Sequence, residues 1–270
     1  MNGATGADPT AALMEGILQR VGRSGTSLAD ASVWQLVVAG NEELSTACRR
    51  ITFASPELRS LVYRPGQDLM LRIPTGEGKV THRRYTIRRA DRHLGTVEID
   101  IVLHGDGPGA RWAAAAEAGA ALDAIGPRGS IGIVDAADWH LFIGDETALP
   151  GMLAMAEVLA PHVAATVVAE LPHATRGHWP DLAEGSDVDL RWIERGDAPP
   201  GQADWLLGTA SSLRWPGRGR GHAYVAGEMQ VVRAIADLLE ERGLGRDQVS
   251  SKAYWRRDRA NAAHGEPLSP

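Results

Sequence analysis

Four segments carry residue types that could bind or move charge. The first is HRRYTIRR, residues 82–89. Side chains alternate along a strand, so Arg84 and Thr86 share one face. An arginine fork suits phosphate and a threonine hydroxyl adds a donor, while the Tyr85 ring can lie on a flat heterocycle. A basic edge strand that resists aggregation accounts for the same residues. The second is DIVLHGDGPGARWA, residues 100–113. It reads as a strand ending at His104, three glycines, and then a helix. Glycines let backbone N–H groups approach a phosphate, and a helix N-terminus favours an anion. A plain strand–helix turn is the alternative.

The third segment is HLFIGDETALPGM, residues 140–152. A buried strand runs into Gly144, and Asp145, Glu146 and Thr147 open a helix. Acidic residues there are ordinary caps. The other reading is a nucleotide at the first βα turn of a sheet, bound by backbone and Thr147 because carboxylates repel phosphate. The fourth is KAYWRRDRAN, residues 252–261. Adjacent aromatics sit among Lys252, Arg256, Arg257 and Arg259. This is either a solvated basic tail with one core aromatic or a lid over a cofactor, with a cationic surface for an anionic ligand. His173 and His178 have a spacing that suits no standard zinc pattern, and no metal site is assigned. No GxSxG motif or Cys/His pair marks a nucleophile.

These segments need a scaffold. From Val33 to about Val134, short apolar or alternating runs recur: VWQLVVA, RRITFA, DLMLRI, RRYTIRR and TVEIDIVLH. Turn residues separate them, which is the pattern of a barrel or sandwich. One helix, Ala110–Ala118, interrupts them. After GPRGSIGIV, strands alternate with helices, which predicts βαβ units and a parallel sheet. MQVVRAIADLLEERGLG is the clearest helix. Met229, Val232, Ile235, Leu238 and Leu239 form its apolar face, and Gly243 is its stop. Ligands of such sheets bind at the carboxyl ends of the strands. The expected plan is an extension over 1–30, with a short helix near Ala11–Arg20, a β domain over 31–134 and an α/β domain over 135–270.

The chain has 270 residues, with 34 acidic and 28 basic side chains and a net charge of −6. That excess of acid argues against a general nucleic-acid binder, which needs a basic surface. The lone Cys48 excludes an intrachain disulfide and fits a reducing compartment. No secretory signal is evident, and no apolar run approaches the roughly 20 residues that span a bilayer. A cytoplasmic protein without membrane insertion is expected. The oligomeric state stays open and is compatible with a monomer.

Together the segments resemble the siderophore-interacting protein family, FAD-dependent ferric-siderophore reductases related to the ferredoxin reductases. The matching pieces are RRYT continuing into IR, the VLHG turn, GPGARWA, GPRGS, GDETALP, AGE and YWR, in the family's order. The resemblance implies a six-stranded antiparallel flavin-binding β-barrel followed by a C-terminal parallel-sheet NAD(P)-binding domain. It implies that Arg84, Tyr85, Thr86 and Ile87 meet the flavin and its phosphate. The turn Ile101, Val102, Leu103, His104 and Gly105, with the helix start Gly109, Ala110, Arg111, Trp112 and Ala113, would hold the ribityl–diphosphate and adenine portions. Gly144, Asp145, Glu146, Thr147 and Ala148 would receive NADPH or NADH, and Tyr254, Trp255 and Arg256 would close over the flavin. Lys252, Arg257 and Arg259 would face an anionic ferric siderophore. The chain departs from the family pattern at Tyr224-Val225 before AGE, at Arg257-Asp258 after YWR and in QDLMLRIP.

The implied reaction passes a hydride from NAD(P)H to FAD and single electrons to siderophore-bound Fe(III), which releases Fe(II). Glu170, 25 residues after Asp145, would favour the free ribose 2′-OH of NADH, whereas Arg176 or Arg195 would suit the 2′-phosphate of NADPH. Two other readings are a flavin reductase for another acceptor and a flavin- or siderophore-binding protein without turnover.

Overall fold

The computed structural model describes residues 32–76, 78–103, 105, 107–172 and 186–257. The expected N-terminal extension and its helix lie outside them. Two compact units form. Among the described residues, one comprises those up to Glu43, Cys48–Tyr63 and Asp68–Arg128; the other comprises Leu44–Ala47, Arg64–Gln67 and those from Gly129.

The first unit is built on β1 (Ser32–Ser45), β2 (Cys48–Ala54), β3 (Asp68–Gly76), β4 (Lys79–Thr86), β5 (Arg89–Asp91), β6 (Thr96–Val102) and β7 (Ala121–Arg128). They form one sheet in the order β4-β3-β7-β1-β2-β6-β5. Alternation drives it. Leu69, Leu71 and Ile73 of β3 and Val97, Ile99 and Ile101 of β6 turn inward and join Leu36, Val38, Ile51 and Phe53 in one core. The edge strands β4 and β5 are separated by only Ile87 and Arg88, so the antiparallel sheet curls back toward its own edge.

The sheet has seven strands where six were expected. The seventh, β5, is three residues long and pairs with the start of β6. Asp91 then turns the chain by accepting from the N–H groups of His93 and Leu94. So short a strand has no period to read. Helix α1 spans Pro108–Ala115, two residues earlier at its start than expected, because Pro108 presets the first turn. Its other end is closed by Asn41, whose Nδ2 donates to the carbonyls of Ala113 and Ala116 at 2.9 and 2.8 Å.

The second unit is a parallel sheet in the order β10-β9-β8-β11-β12. Its strands are β8 (Trp139–Asp145), β9 (Ala164–Leu171), β10 (Val188–Glu194), β11 (Gly221–Glu228) and β12 (Val249–Trp255). Every residue of the central β8 is buried, as befits a strand covered on both faces. The helices are α2 (Leu149–Ala156), α3 (Ala203–Ser212) and α4 (Met229–Glu241). Val231, Val232, Ile235 and Leu239 of α4 pack with α3 residues on Leu141, Ile143, Ala223 and Val225. Gly243 ends α4 at φ +101°, and the N–H groups of Gly243 and Leu244 return to the carbonyls of Glu240 and Leu239. The C-terminal aromatic segment is the edge strand β12, paired in parallel with β11. Among the described residues no helix is long and apolar enough to cross a membrane.

Trp139 is boxed in. It stacks on Trp215 at 5.4 Å, and a Cβ placed on Gly221 would sit 2.0 Å from its ring. Gly221→Ala is therefore expected to lower unfolding free energy by about 1–3 kcal/mol, read by urea denaturation followed through tryptophan fluorescence.

Candidate functional site

In the antiparallel unit, β4 splits its motif between two faces. Arg84 points to β3 and makes a bidentate pair with Asp68, 2.8 Å at both contacts. Asp68 is only 2% exposed, so this is a buried ion pair. Arg83 and Tyr85 face the other way, toward the start of α1. A Cβ on Gly109 would lie 2.4 Å from the Tyr85 hydroxyl and 3.4 Å from Cγ of Arg83. Only glycine lets the helix approach the strand this closely. Burial pushes the Tyr85 phenol up to about 12, so it stays neutral. Arg83 donates to the Thr81 hydroxyl and the His82 carbonyl, each at 2.8 Å.

The cap of α1 is Gly107, which offers no side-chain acceptor to the first-turn N–H groups. An uncapped helix start beside an arginine is a setting for an anionic group. Thr86, Ile87 and Ile101 are buried, Val102 and Leu103 are half-buried, and Gly105 turns the chain at φ +58°. His104 lies outside the described residues. In α1, Ala113 is buried, Ala110 is half-buried and Arg111 is exposed. Trp112 stacks on Phe53 of β2 at 6.1 Å, nearly coplanar, so one ring face packs the helix onto the sheet.

In the parallel unit the strand ends converge on buried carboxylates. Asp145 ends β8 and is 4% exposed. Its Oδ1 accepts from the backbone N–H and the hydroxyl of Thr147 at 2.9 and 2.5 Å. Its Oδ2 accepts from Trp255 Nε1 at 2.8 Å and from the Glu228 N–H at 3.0 Å. Burial, and then the neighbouring Glu146 charge, push the Asp145 carboxyl up to about 6. Glu228 ends β11 and caps α4, accepting from Gln230 N and Val231 N at 2.6 and 3.1 Å. Its other oxygen accepts from the Arg257 N–H at 3.1 Å. Gly144 is required at the strand end, because a Cβ there would lie 2.1 Å from the Ala226 carbonyl. Ala148 is buried beside it.

Glu146 turns to Arg195, just beyond β10, in a bidentate pair at 2.6 Å. Arg195 also reaches Glu170 at 3.5 Å and its side chain is 7% exposed. It is thus held by two carboxylates. Glu170 is pushed up to about 7, chiefly by burial. Arg176 lies outside the described residues. Lys252 is 6% exposed, with its Nζ 5.4 Å from the Tyr254 ring centre, so it is no part of an exposed cationic surface. Tyr254 is half-buried, and Arg256 and Arg257 are exposed. The Arg257 guanidinium donates to the Gly201 carbonyl. Asp258 and Arg259 lie outside the described residues.

Two family models match. Residues 137–258 match the siderophore-interacting protein model, and residues 65–131 match the siderophore-interacting FAD-binding domain. The ferric vibriobactin reductase ViuB of Vibrio cholerae serotype O1 is 32% identical over 209 residues, 73% of this chain and 75% of that protein. The chain belongs to the siderophore-interacting protein family. A siderophore utilization protein from T. fusca has the same fold, with a TM-score of 0.79 at 28% identity over 89% of this chain and 99% of that one. The ferredoxin reductase of carbazole 1,9a-dioxygenase shares the fold at 18% identity, with a TM-score of 0.65 over 85% of this chain and 71% of that one.

FAD is the cofactor of this family's N-terminal domain, and the residues fit it. The glycine cradle at Gly109, the uncapped start of α1 and the Arg83 guanidinium suit a diphosphate. The sequence offers Arg84 to the phosphate; in the fold Arg84 sits on the opposite face with Asp68, and Arg83 stands beside Tyr85 and α1. The signal was available, since period two groups residue 83 with residue 85. Glu228 was also missed, although an acidic residue between a strand and a helix is an N-cap signal.

Glu170 gives a testable pH dependence. In the folded chain it holds its proton to about pH 7, whereas an ordinary glutamate releases it near 4.5. The folded state binds more protons in that window, so its contribution to stability is full below about 4.5 and is lost as pH rises to about 7. Glu170→Gln is expected to flatten this slope and to be more stable than the parent above pH 7, as read by urea midpoints over about pH 5 to 8.

Proposed function

We propose that this chain is an NAD(P)H-dependent ferric-siderophore reductase, with FAD on the antiparallel unit and the nicotinamide nucleotide on the parallel one. The antiparallel unit is read as the flavin barrel, 31–134, and the parallel unit as the nucleotide domain, 135–270. The observation that carries the reading is local. The segment matching the FAD-binding domain, 65–131, is the one in which Arg83 and Tyr85 meet the uncapped start of α1. The name of the Vibrio relative supports a ferric siderophore as the acceptor.

Bound FAD would supply hydride acceptance and one-electron delivery. The protein's part is binding and orientation. Arg83 and the N–H groups of Gly109 and Ala110 would hold the diphosphate, and Tyr85, neutral at working pH, would pack on the flavin as an uncharged donor. The carboxyl ends of β8, β9 and β11 would seat the nucleotide. Arg195 is held by Glu146 and Glu170, which leaves Glu170 as the better candidate of that pair for a ribose contact. Arg256 and Arg257 are exposed cations for an anionic ferric chelate.

An anaerobic titration tests the reading. Purified protein should show a flavin spectrum that bleaches with NADH or NADPH and recovers with a ferric hydroxamate or catecholate as Fe(II) is trapped by ferrozine. A protein that takes up no added FAD contradicts it. Bleaching without recovery assigns another acceptor.

The two arginines separate binding from folding. Arg83→Met is expected to weaken FAD binding about tenfold or more with little loss of stability. Arg84→Met is expected to cost about 3–5 kcal/mol of stability, because it takes the bidentate partner from buried Asp68. Flavin fluorescence titration and urea denaturation read the two effects.

A further inference from the structure

We propose that the parallel unit takes NADH in preference to NADPH, and that Glu146 sets the preference by holding Arg195 away from a ribose 2′-phosphate. This rests on the reading of the parallel unit as the nucleotide domain. It narrows the reductant, and it gives Glu146 a role exerted through Arg195 and not by contact with the ligand.

Topology places the side chains. In the order β10-β9-β8-β11-β12 the chain runs outward from β8 to β10 and then adds β11 and β12 on the other side of β8. Ligands of such a sheet lie beyond the carboxyl ends of the strands, and the adenosine ribose falls at the end of the second strand, here β9. An acid there suits a free 2′-OH, and an arginine there suits a 2′-phosphate. This chain has both. Glu146 follows β8, Glu170 is the last residue but one of β9, and Arg195 follows β10. What Arg195 does decides between them. It gives one nitrogen to each oxygen of Glu146, both at 2.6 Å, and lies 3.5 Å from Oε1 of Glu170.

Burial makes that pairing hard to undo. The side chains of Arg195, Glu146 and Glu170 are 7%, 6% and 1% exposed. A guanidinium that turned to a phosphate would leave Glu146 in the interior without its partner, and breaking a buried pair in this way is costly. Nor does the cluster call for a further anion. Three carboxylates, Asp145, Glu146 and Glu170, already act on the one guanidinium. Oε2 of Glu170 is buried and has no hydrogen-bond partner among the described residues, so what this strand end lacks is a donor. A ribose 2′-OH is a donor. A 2′-phosphate brings about two more negative charges and has no proton to give at pH 8.

The experiment uses FAD-loaded protein at pH 8, above the value of about 7 to which burial raises Glu170. Calorimetry reads NAD⁺ and NADP⁺ affinity without turnover, and stopped flow reads flavin reduction by NADH and NADPH. The parent is expected to bind NAD⁺ about 100-fold more tightly than NADP⁺, with a similar ratio in reduction. Glu146→Gln keeps the shape and removes the charge that holds Arg195. It should gain about tenfold in NADP⁺ affinity and change less than about threefold for NAD⁺. Adding Arg195→Met to it should abolish that gain, which a general loss of negative charge would not do. Glu146→Asp keeps the charge and loses the two-point reach. It should gain about threefold for NADP⁺, and it serves as the test if Glu146→Gln does not fold. Equal affinities or a preference for NADP⁺ in the parent overturn the proposal. So do a parental ratio in the Glu146 variants and a gain that survives Arg195→Met. A parent that holds FAD yet binds neither nucleotide overturns the functional reading itself, and this inference with it.

Discussion

Three parallel strands end at one edge, each presenting N–H groups that must be satisfied away from water. Asp145 satisfies two of those strand ends and its own turn at once. A buried donor left unmade costs about 1–3 kcal/mol, so a carboxylate with four donors is a strong local constraint. The same carboxylate is expensive to keep charged in the interior, and Glu146 beside it adds to that cost. Burial and the Glu146 charge raise its pKa, and its donors oppose that. Trp255 is bonded to Asp145 directly, and Arg257 is bonded to Glu228, whose own N–H Asp145 accepts.

The antiparallel unit solves a related problem differently. Its buried charges are paired internally: Arg84 with Asp68, and Arg50 with Asp100 at 2.7 and 2.8 Å. Pairing removes those side chains from the list of ligand groups. On the proposed reading, an anion meets backbone at the start of α1 and the Arg83 guanidinium. The two units thus share a rule. Several charged groups that look like ligands in the sequence, Arg84, Asp145, Glu146 and Arg195 among them, are bonded to other elements of the fold.

Much of the architecture was legible because period and punctuation agree. Leu69, Leu71 and Ile73 alternate cleanly, and α4 shows a 3.6-residue face ended by Gly243. The apolar run Leu141, Phe142 and Ile143 within β8 marks a strand covered on both sides. What was not legible has physical reasons. β5 is too short to have a period, and β7 reads ALDAIGPR, in which Gly126 and Pro127 obscure the alternation of Leu122 and Ala124. At the site, the right segments stood out but the roles of single residues did not. Arg83 and Arg84 look equally able to meet a phosphate in the sequence, because a strand's two faces look equivalent until a partner such as Asp68, 16 residues from Arg84, is placed on one of them. Lys252 reads as a surface charge by type, and only its register opposite Ala226 buries it.

On the proposed function, electrons leave this protein one at a time for ferric iron held by an anionic chelate. It is tested most directly by a single-turnover stoichiometry. Holoprotein reduced anaerobically to completion and freed of excess nucleotide is mixed with a ferric hydroxamate or catecholate, and trapped Fe(II) is counted against reoxidised flavin. Two Fe(II) for each flavin, with full return of the oxidised spectrum, is the predicted result. A flavin that stays reduced in the presence of every ferric chelate offered contradicts the account.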